Sequence, residues 1–267
     1  MISERIYLSD DKVAYIDTYV IKDTNLTPRD AMLVIPGGGY GGVCLDREGE
    51  CIALAYLARG MNCFVLNYHT GITNNYPTHL LDAARAVAYI KENAEKYHID
   101  PDRLFAVGFS AGGHLCATLA TKYRVAEQIL GKEEGYLRPH GVVLAYPVVT
   151  AMHPTHKASY MNLTGIAFDE IPEDIRALHS HELHVDKNTS PAFIWHTATD
   201  VCVPPIGSLR LAEAYIDAGV RVELHLYPEG PHGMALCTEL TSLGKDIYTS
   251  DVAVAWLEAS LKFIKSV

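Results

Sequence analysis

A serine framed by glycines, Gly108-Phe109-Ser110-Ala111-Gly112-Gly113, is the stretch of this chain where chemistry is most readily built. The apolar run 103–107 precedes it and reads as a buried strand. Residues 114–120 follow and read as a helix. Strand, then G-x-S-x-G, then helix is the nucleophile-elbow arrangement. A turn this sharp strains the serine backbone and crowds the positions two residues away on either side, so glycine stands there. The hydroxyl of Ser110 is then presented at the tip of the turn. The amide N–H groups of the new helix, Ala111 first, face the reacting centre. The same pattern also arises as an ordinary glycine-containing turn, so the rest of the chain must supply partners.

A serine hydroxyl is a weak nucleophile until a base takes its proton and a carboxylate orients that base. The chain has thirteen histidines, so position must choose among them. His232 lies between Pro231 and Gly233 in a shaped loop just after the strand expected at 221–227. His114, one helical turn past Ser110, is expected to pack beneath the elbow, and His196, at the end of its own strand, competes with His232. His179, His181 and His184 invite a metal reading. Their spacing places no pair at i, i+4 and no carboxylate-rich motif accompanies them, so a polar covering loop is expected and no metal. For the acid, Asp200 follows the strand at 192–196 and opens onto a helix at 205–218; a mere helix-start role is the lesser reading. Glu229 is too close to His232 in the chain to reach its far nitrogen, and Asp169 and Glu170 are weaker candidates.

Attack on a carbonyl puts negative charge on its oxygen, and fixed backbone N–H donors aimed there are worth about 2.7–4 kcal/mol each. Ala111 supplies one. The glycine loop Pro36-Gly37-Gly38-Gly39-Tyr40-Gly41-Gly42 supplies others, with Gly38 and Gly39 the choice and Tyr40 a further candidate. The loop also reads G-x-G-x-x-G through Gly37, Gly39 and Gly42, which raises a dinucleotide-binding oxidoreductase as a rival. That rival needs an acid at the end of the following strand. The strand ends Asn67-Tyr68-His69 instead. Arg47, Glu48 and Glu50 follow the loop and either line the mouth or open a charged helix.

These side chains need a scaffold that gathers strand ends. Strands are expected at 13–20 (an edge, followed by a polar loop over 21–28), 31–35, 62–67, 103–107, 141–146, 192–196 and 221–227. Helices are expected at 50–59, 78–97, 205–218 and 246–264. The 78–97 helix is read with Leu81, Ala84 and Ala88 inward and Asp82, Arg85 and Glu92 outward. Such alternation implies a mainly parallel sheet covered on both faces, with ligands beyond the carboxyl ends of its strands. Residues 150–190 lose the alternation and carry five histidines. They read as a small excursion over that end, and the chain 1–267 as a single α/β domain with 150–190 as a cap-like insertion.

With 49% hydrophobic residues in 267, the chain can bury a substantial core. A net charge of -10 argues against a nucleic-acid surface. No apolar run approaches the roughly 20 residues that span a bilayer, and no signal-peptide pattern opens the chain. Six scattered cysteines without C-x-x-C read as free, mostly buried thiols, hence a cytoplasmic protein. The oligomeric state stays open, a homodimer included.

Taken together, the glycine loop, the elbow through His114 and Leu115, and the segments 195–200 and 230–233 resemble the α/β-hydrolase superfamily. More narrowly they resemble the acetyl esterase and acetylxylan esterase-like group of its carboxylesterase/lipase branch. Pro36 stands where the lipase loop has histidine. The resemblance implies the α/β-hydrolase fold and the chain order Ser110, Asp200, His232 for the triad. It implies hydrolysis of acetyl or other short acyl esters, often on sugars, with no cofactor. An arylformamidase-type amide hydrolase on the same triad is the alternative, and a non-catalytic binding module a remoter one. Residues 150–190 carry few large apolar residues in series, which favours small polar substrates over long-chain lipids.

Overall fold

The computed structural model describes residues 1–22 and 27–267. The polar loop expected over 21–28 falls largely outside them. Eight strands form one sheet: β1 (Arg5–Tyr7), β2 (Tyr15–Tyr19), β3 (Arg29–Ile35), β4 (Asn62–Asn67), β5 (Ile99–Phe109), β6 (Val142–Ala145), β7 (Ala192–Thr197) and β8 (Val222–Tyr227), in the order β1-β2-β4-β3-β5-β6-β7-β8. β1 and β2 are antiparallel to their neighbours; β4 through β8 pair in parallel. The strand expected at the edge is therefore one place in. The true edge is β1, whose three residues are too short for a period-2 pattern to register.

The central strands are apolar on both sides, as a sheet covered twice requires. Along β3, Ala31, Leu33 and Ile35 join one core, and Met32 and Val34 the other. The first core is closed by α3 (Thr78–Glu92), α5 (Ala111–Leu130) and α8 (Ile206–Asp217). The second is closed by α2 (Glu50–Leu57) and α9 (Trp256–Ile264). The short α1 (Leu45–Glu48) and α4 (Ala94–Tyr97) complete these connections.

Three expectations give way to side-chain chemistry. The 78–97 helix breaks at Asn93, whose side-chain amide donates to Tyr89 O at 2.8 Å and competes with the backbone ladder. Asp82 of α3 faces inward, fully buried, where Oδ2 accepts the backbone N–H of His69 at 3.0 Å and lies 2.7 Å from its Nδ1. The final helix begins only at Trp256. Upstream, the hydroxyls of Thr249 and Ser250 bond their own local backbone and leave isolated 3-10 turns at Asp246–Tyr248 and Ala253–Ala255.

The 150–190 segment carries α6 (Lys157–Thr164) and α7 (Glu173–Leu178) with 3-10 turns at Phe168–Glu170 and His181–Leu183. Tyr160, Leu163, Phe168 and Ile171 pack into the first core. Asn162 Nδ2 donates to Gly39 O at 2.9 Å, so the segment meets the glycine loop at the carboxyl end of the sheet.

Candidate active site

Ser110 joins β5 to α5 at φ 52°, ψ -117°, a conformation that only an over-determined turn holds. Its N–H donates to Ala145 O at 3.0 Å, and its carbonyl accepts from the N–H groups of His114 and Val148, each at 3.1 Å. The flanking glycines follow from contact: a Cβ on Gly112 would lie 2.1 Å from Ile35 O, and one on Gly108 2.3 Å from Gly112 O.

His232, in the loop after β8, places Nε2 2.8 Å from Ser110 Oγ and Nδ1 2.7 Å from Asp200 Oδ2. A carboxylate only accepts, so the neutral imidazole carries its proton on Nδ1, and Nε2 is free to take the serine proton. Asp200 sits in the loop after β7, where Oδ1 accepts the N–H groups of Cys202 and Val203, both at 2.9 Å. Burial by itself raises the Asp200 carboxyl. Hydrogen bonds from His196 and His232 and from the Val203 N–H outweigh burial and hold it below the ordinary carboxylate range. The structure thus brings Ser110, Asp200 and His232 into one hydrogen-bonded line.

His196 does not reach the serine. It lies behind the acid, fully buried, with Nε2 at 3.2 Å from Asp200 Oδ2 and 2.9 Å from Val203 O, and Nδ1 at 2.8 Å from Ser208 Oγ. His114 is buried beneath the elbow with Nδ1 2.7 Å from the Tyr40 hydroxyl. Asp169, Glu170 and Glu229 are exposed, Asp169 pairing with Lys157.

The glycine loop curls against the elbow. Gly38 has φ +129°, and a Cβ there would lie 2.2 Å from Gly42 O, so no side chain is accommodated. Gly39 and Tyr40 also have positive φ, 62° and 57°. No acceptor is found for the N–H groups of Gly38, Gly39 and Ala111 among the described residues. Gly38, Gly39, Ser110 and His232 line one pocket of about 130 Å³. Larger clefts of about 560 and 750 Å³ open elsewhere, neither touching Ser110. The small pocket also takes in Cys44, Arg47, Glu48, His156 and Cys202.

Sequence reasoning missed His156, Cys44 and Cys202, and did not foresee the burial of Glu48. Of the three charged residues after the glycine loop, Arg47 and Glu48 do line the pocket and Glu50 does not, and Glu48 is 2% exposed, turned inward at the end of the short α1. It also missed Tyr146, which packs edge-on to His232 with centroids 5.0 Å apart. Tyr146 directly follows a parallel strand at its carboxyl end, and that position was a usable signal.

The polar covering loop expected at 179–184 is packed down rather than open, with His184 half-buried. His179 and His181 are buried, and His181 sits 3.2 Å from both Thr118 Oγ1 and Thr121 Oγ1 of α5. Among the described residues no group of three or more His, Cys, Asp or Glu is arranged to hold a metal ion. All six cysteines are free, but only Cys63, Cys116 and Cys237 are buried.

A mixed sheet of this order, with the elbow at the carboxyl end of β5, is the α/β-hydrolase fold, shared with a solved α/β-hydrolase enzyme and a solved carboxylesterase. Within it, the chain belongs to the BD-FAE family, whose model matches residues 16–215. It is 40% identical to endo-1,4-beta-xylanase B of Butyrivibrio fibrisolvens over 79% of this chain and 33% of that protein. It is 27% identical to an acetylxylan esterase of Xylanibacter ruminicola over 86% of this chain and 46% of that one. The chain thus spans a third to about half the length of these curated relatives. A solved acetyl ester-xyloside bifunctional hydrolase from Caldicellulosiruptor lactoaceticus superposes with a TM-score of 0.83 at 27% identity, covering 98% of this chain and 96% of that one.

Proposed function

We propose that this protein is a serine carboxylic ester hydrolase acting on short, acetyl-type esters, acetylated sugars among them, through an acyl-enzyme on Ser110. The observation that carries the reading is the continuous line from Ser110 Oγ through His232 to Asp200, at 2.8 and 2.7 Å. His232 takes the hydroxyl proton as Ser110 attacks the ester carbonyl. The amides of Gly38, Gly39 and Ala111 hold the oxyanion. His232 then protonates the departing alcohol and activates water to release the acid, while Asp200 holds the imidazole and its charged form. No residue role in this cycle calls for a metal or cofactor. The relatives named for acetylxylan and acetyl ester-xyloside hydrolysis support the acetyl and sugar halves of the reading.

We read residues 1–267 as one hydrolase domain with 150–190 as a cap-like insertion, a reading supported by the single sheet. Among the described residues no helix is long and apolar enough to cross a membrane. A cytoplasmic location is supported by the six free thiols.

Turnover of a chromogenic acetate ester, with fluorophosphonate labelling, tests the proposal. Ser110→Ala folds but loses essentially all turnover and all label. Turnover retained in that variant sinks the assignment. Comparing acetylated sugars with N-formylkynurenine separates the esterase from the amide hydrolase that the same triad would serve.

A further inference from the structure

The mechanism above leaves unused the most deeply buried carboxylate beside the nucleophile, Glu48 at the end of α1. A carboxylate out of water is costly unless its oxygens are bonded. Glu48 Oε2 accepts the N–H of Gly37 at 2.8 Å, and Oε1 accepts the hydroxyl of Tyr146 at 2.8 Å. The Tyr146 oxygen in turn accepts the N–H of Ala235 at 3.0 Å. Gly37 immediately precedes Gly38 and Gly39, and Ala235 lies three residues after His232.

The surroundings give this chain of bonds its purpose. Arg47, the neighbouring cation, forms no ion pair with Glu48; its guanidinium lies by Gly233 and 5.8 Å from the Tyr248 ring centroid. The bonding capacity of Glu48 therefore goes to two loops. A Cβ on Gly37 would lie 2.9 Å from both Glu48 Oε2 and Ser110 Cβ, so the carboxylate is wedged under the nucleophile. Tyr146 and Ala235 both hold positive φ, 38° and 50°, conformations that need outside support in a residue with a side chain. Neither loop has regular secondary structure to hold it at the sub-ångström tolerance that acyl transfer needs.

We infer that Glu48 and Tyr146 are positioning residues, a buried tether that fixes the loop carrying the oxyanion amides relative to the loop carrying His232. The inference rests on the ester-hydrolase reading above. Each acts by keeping the Gly38 and Gly39 amides and the His232 imidazole in register across one carbonyl.

The test is steady-state kinetics on an acetate ester with the full chain, each variant first checked for folding by circular dichroism. Glu48→Ala and Tyr146→Phe are expected to lower kcat about ten- to a hundred-fold with KM within about three-fold of the parent. Glu48→Gln keeps an acceptor for the Gly37 amide and recovers part of the Glu48→Ala loss. The double variant Glu48→Ala/Tyr146→Phe loses no more than the worse single, because both break one chain of bonds. Folded single variants with kcat within about two-fold of the parent overturn the tether. So do losses that multiply in the double variant, or that fall wholly on KM. If Glu48→Ala does not fold, Glu48→Gln and Tyr146→Phe, singly and combined, decide by the same criteria. Turnover retained in Ser110→Ala defeats the hydrolase reading and the tether with it. Loss there with unimpaired tether variants defeats the tether alone.

Discussion

Asp200 is asked to serve two imidazoles at once. His232 and His196 approach the same oxygen, Oδ2, at 2.7 and 3.2 Å, while the other oxygen takes two backbone amides. An amide at this position would offer a donor where His232 Nδ1 needs an acceptor, and the imidazole would flip its tautomer. Asp200→Asn should therefore fold but lose on the order of 10³–10⁴-fold in kcat. Steady-state kinetics beside a melting curve checks this, and a loss under about ten-fold would point to another acid. Replacing His196 tests the opposite role. It lies on the far side of the carboxylate, so its loss should register in stability more than in the proton transfer.

At the level of elements, α5 does more than begin just after Ser110. Its first turns pack on a cluster of neutral histidines. His114 and His181 lie with ring centroids 4.4 Å apart, and His179 sits 5.9 Å from His114. His79 of α3 stands edge-on to Tyr40, whose hydroxyl meets His114. Burial drives all four down: His79 to about 4, His179 to about 3, and His114 and His181 well below the ordinary 6.5. Lys122 of the same helix is also buried and pushed down to about 8. Above pH 6.5 the histidines are neutral folded or unfolded, and the cluster contributes its full stability. As pH falls below 6.5, the unfolded chain takes up protons that the folded one refuses. Stability is lost as pH falls from 6.5 through about 4 for His79 and about 3 for His179, with His114 and His181 acting in the same direction. Melting temperature should accordingly hold above pH 6.5 and fall steeply below it. His179→Gln should flatten that fall; an unchanged slope would remove the cluster as its cause.

For the molecule as a whole, the sheet delivers Ser110, Asp200 and His232 to one rim from β5, β7 and β8. The glycine loop after β3 and the segment before α6 close over them. What remains beside Ser110 is about 130 Å³, bounded by the glycine loop, Arg47, Glu48, His156, His232 and two thiols rather than by a wide apolar trough. On the proposed acyl-enzyme reading, a space of that size is expected to favour an acetyl group over longer acyl chains. An ester series of fixed alcohol should show kcat/KM falling by at least about ten-fold between acetyl and hexanoyl. Equal or rising efficiency with chain length would mean that the segment over 150–190 opens well beyond the arrangement seen here.

Much of this architecture was legible from local pattern. The alternation of strand and helix, the elbow with its glycines, and the loops after the strands named Ser110, Asp200 and His232 as candidates, because turn chemistry and periodicity act over a few residues. What no local rule supplied was contact across the chain. His232 meets Ser110 over 122 positions, and Tyr146 meets Glu48 over 98. Asp82 and Glu48 look like solvent-facing charges on a helical wheel, and His179 and His181 like a polar loop, until distant amides, hydroxyls and rings enclose them. The sequence by itself determined the fold class and the short list of candidate groups. Only the tertiary structure decided which charges are buried and what satisfies them, since burial and hydrogen bonding depend on neighbours that are remote in the chain.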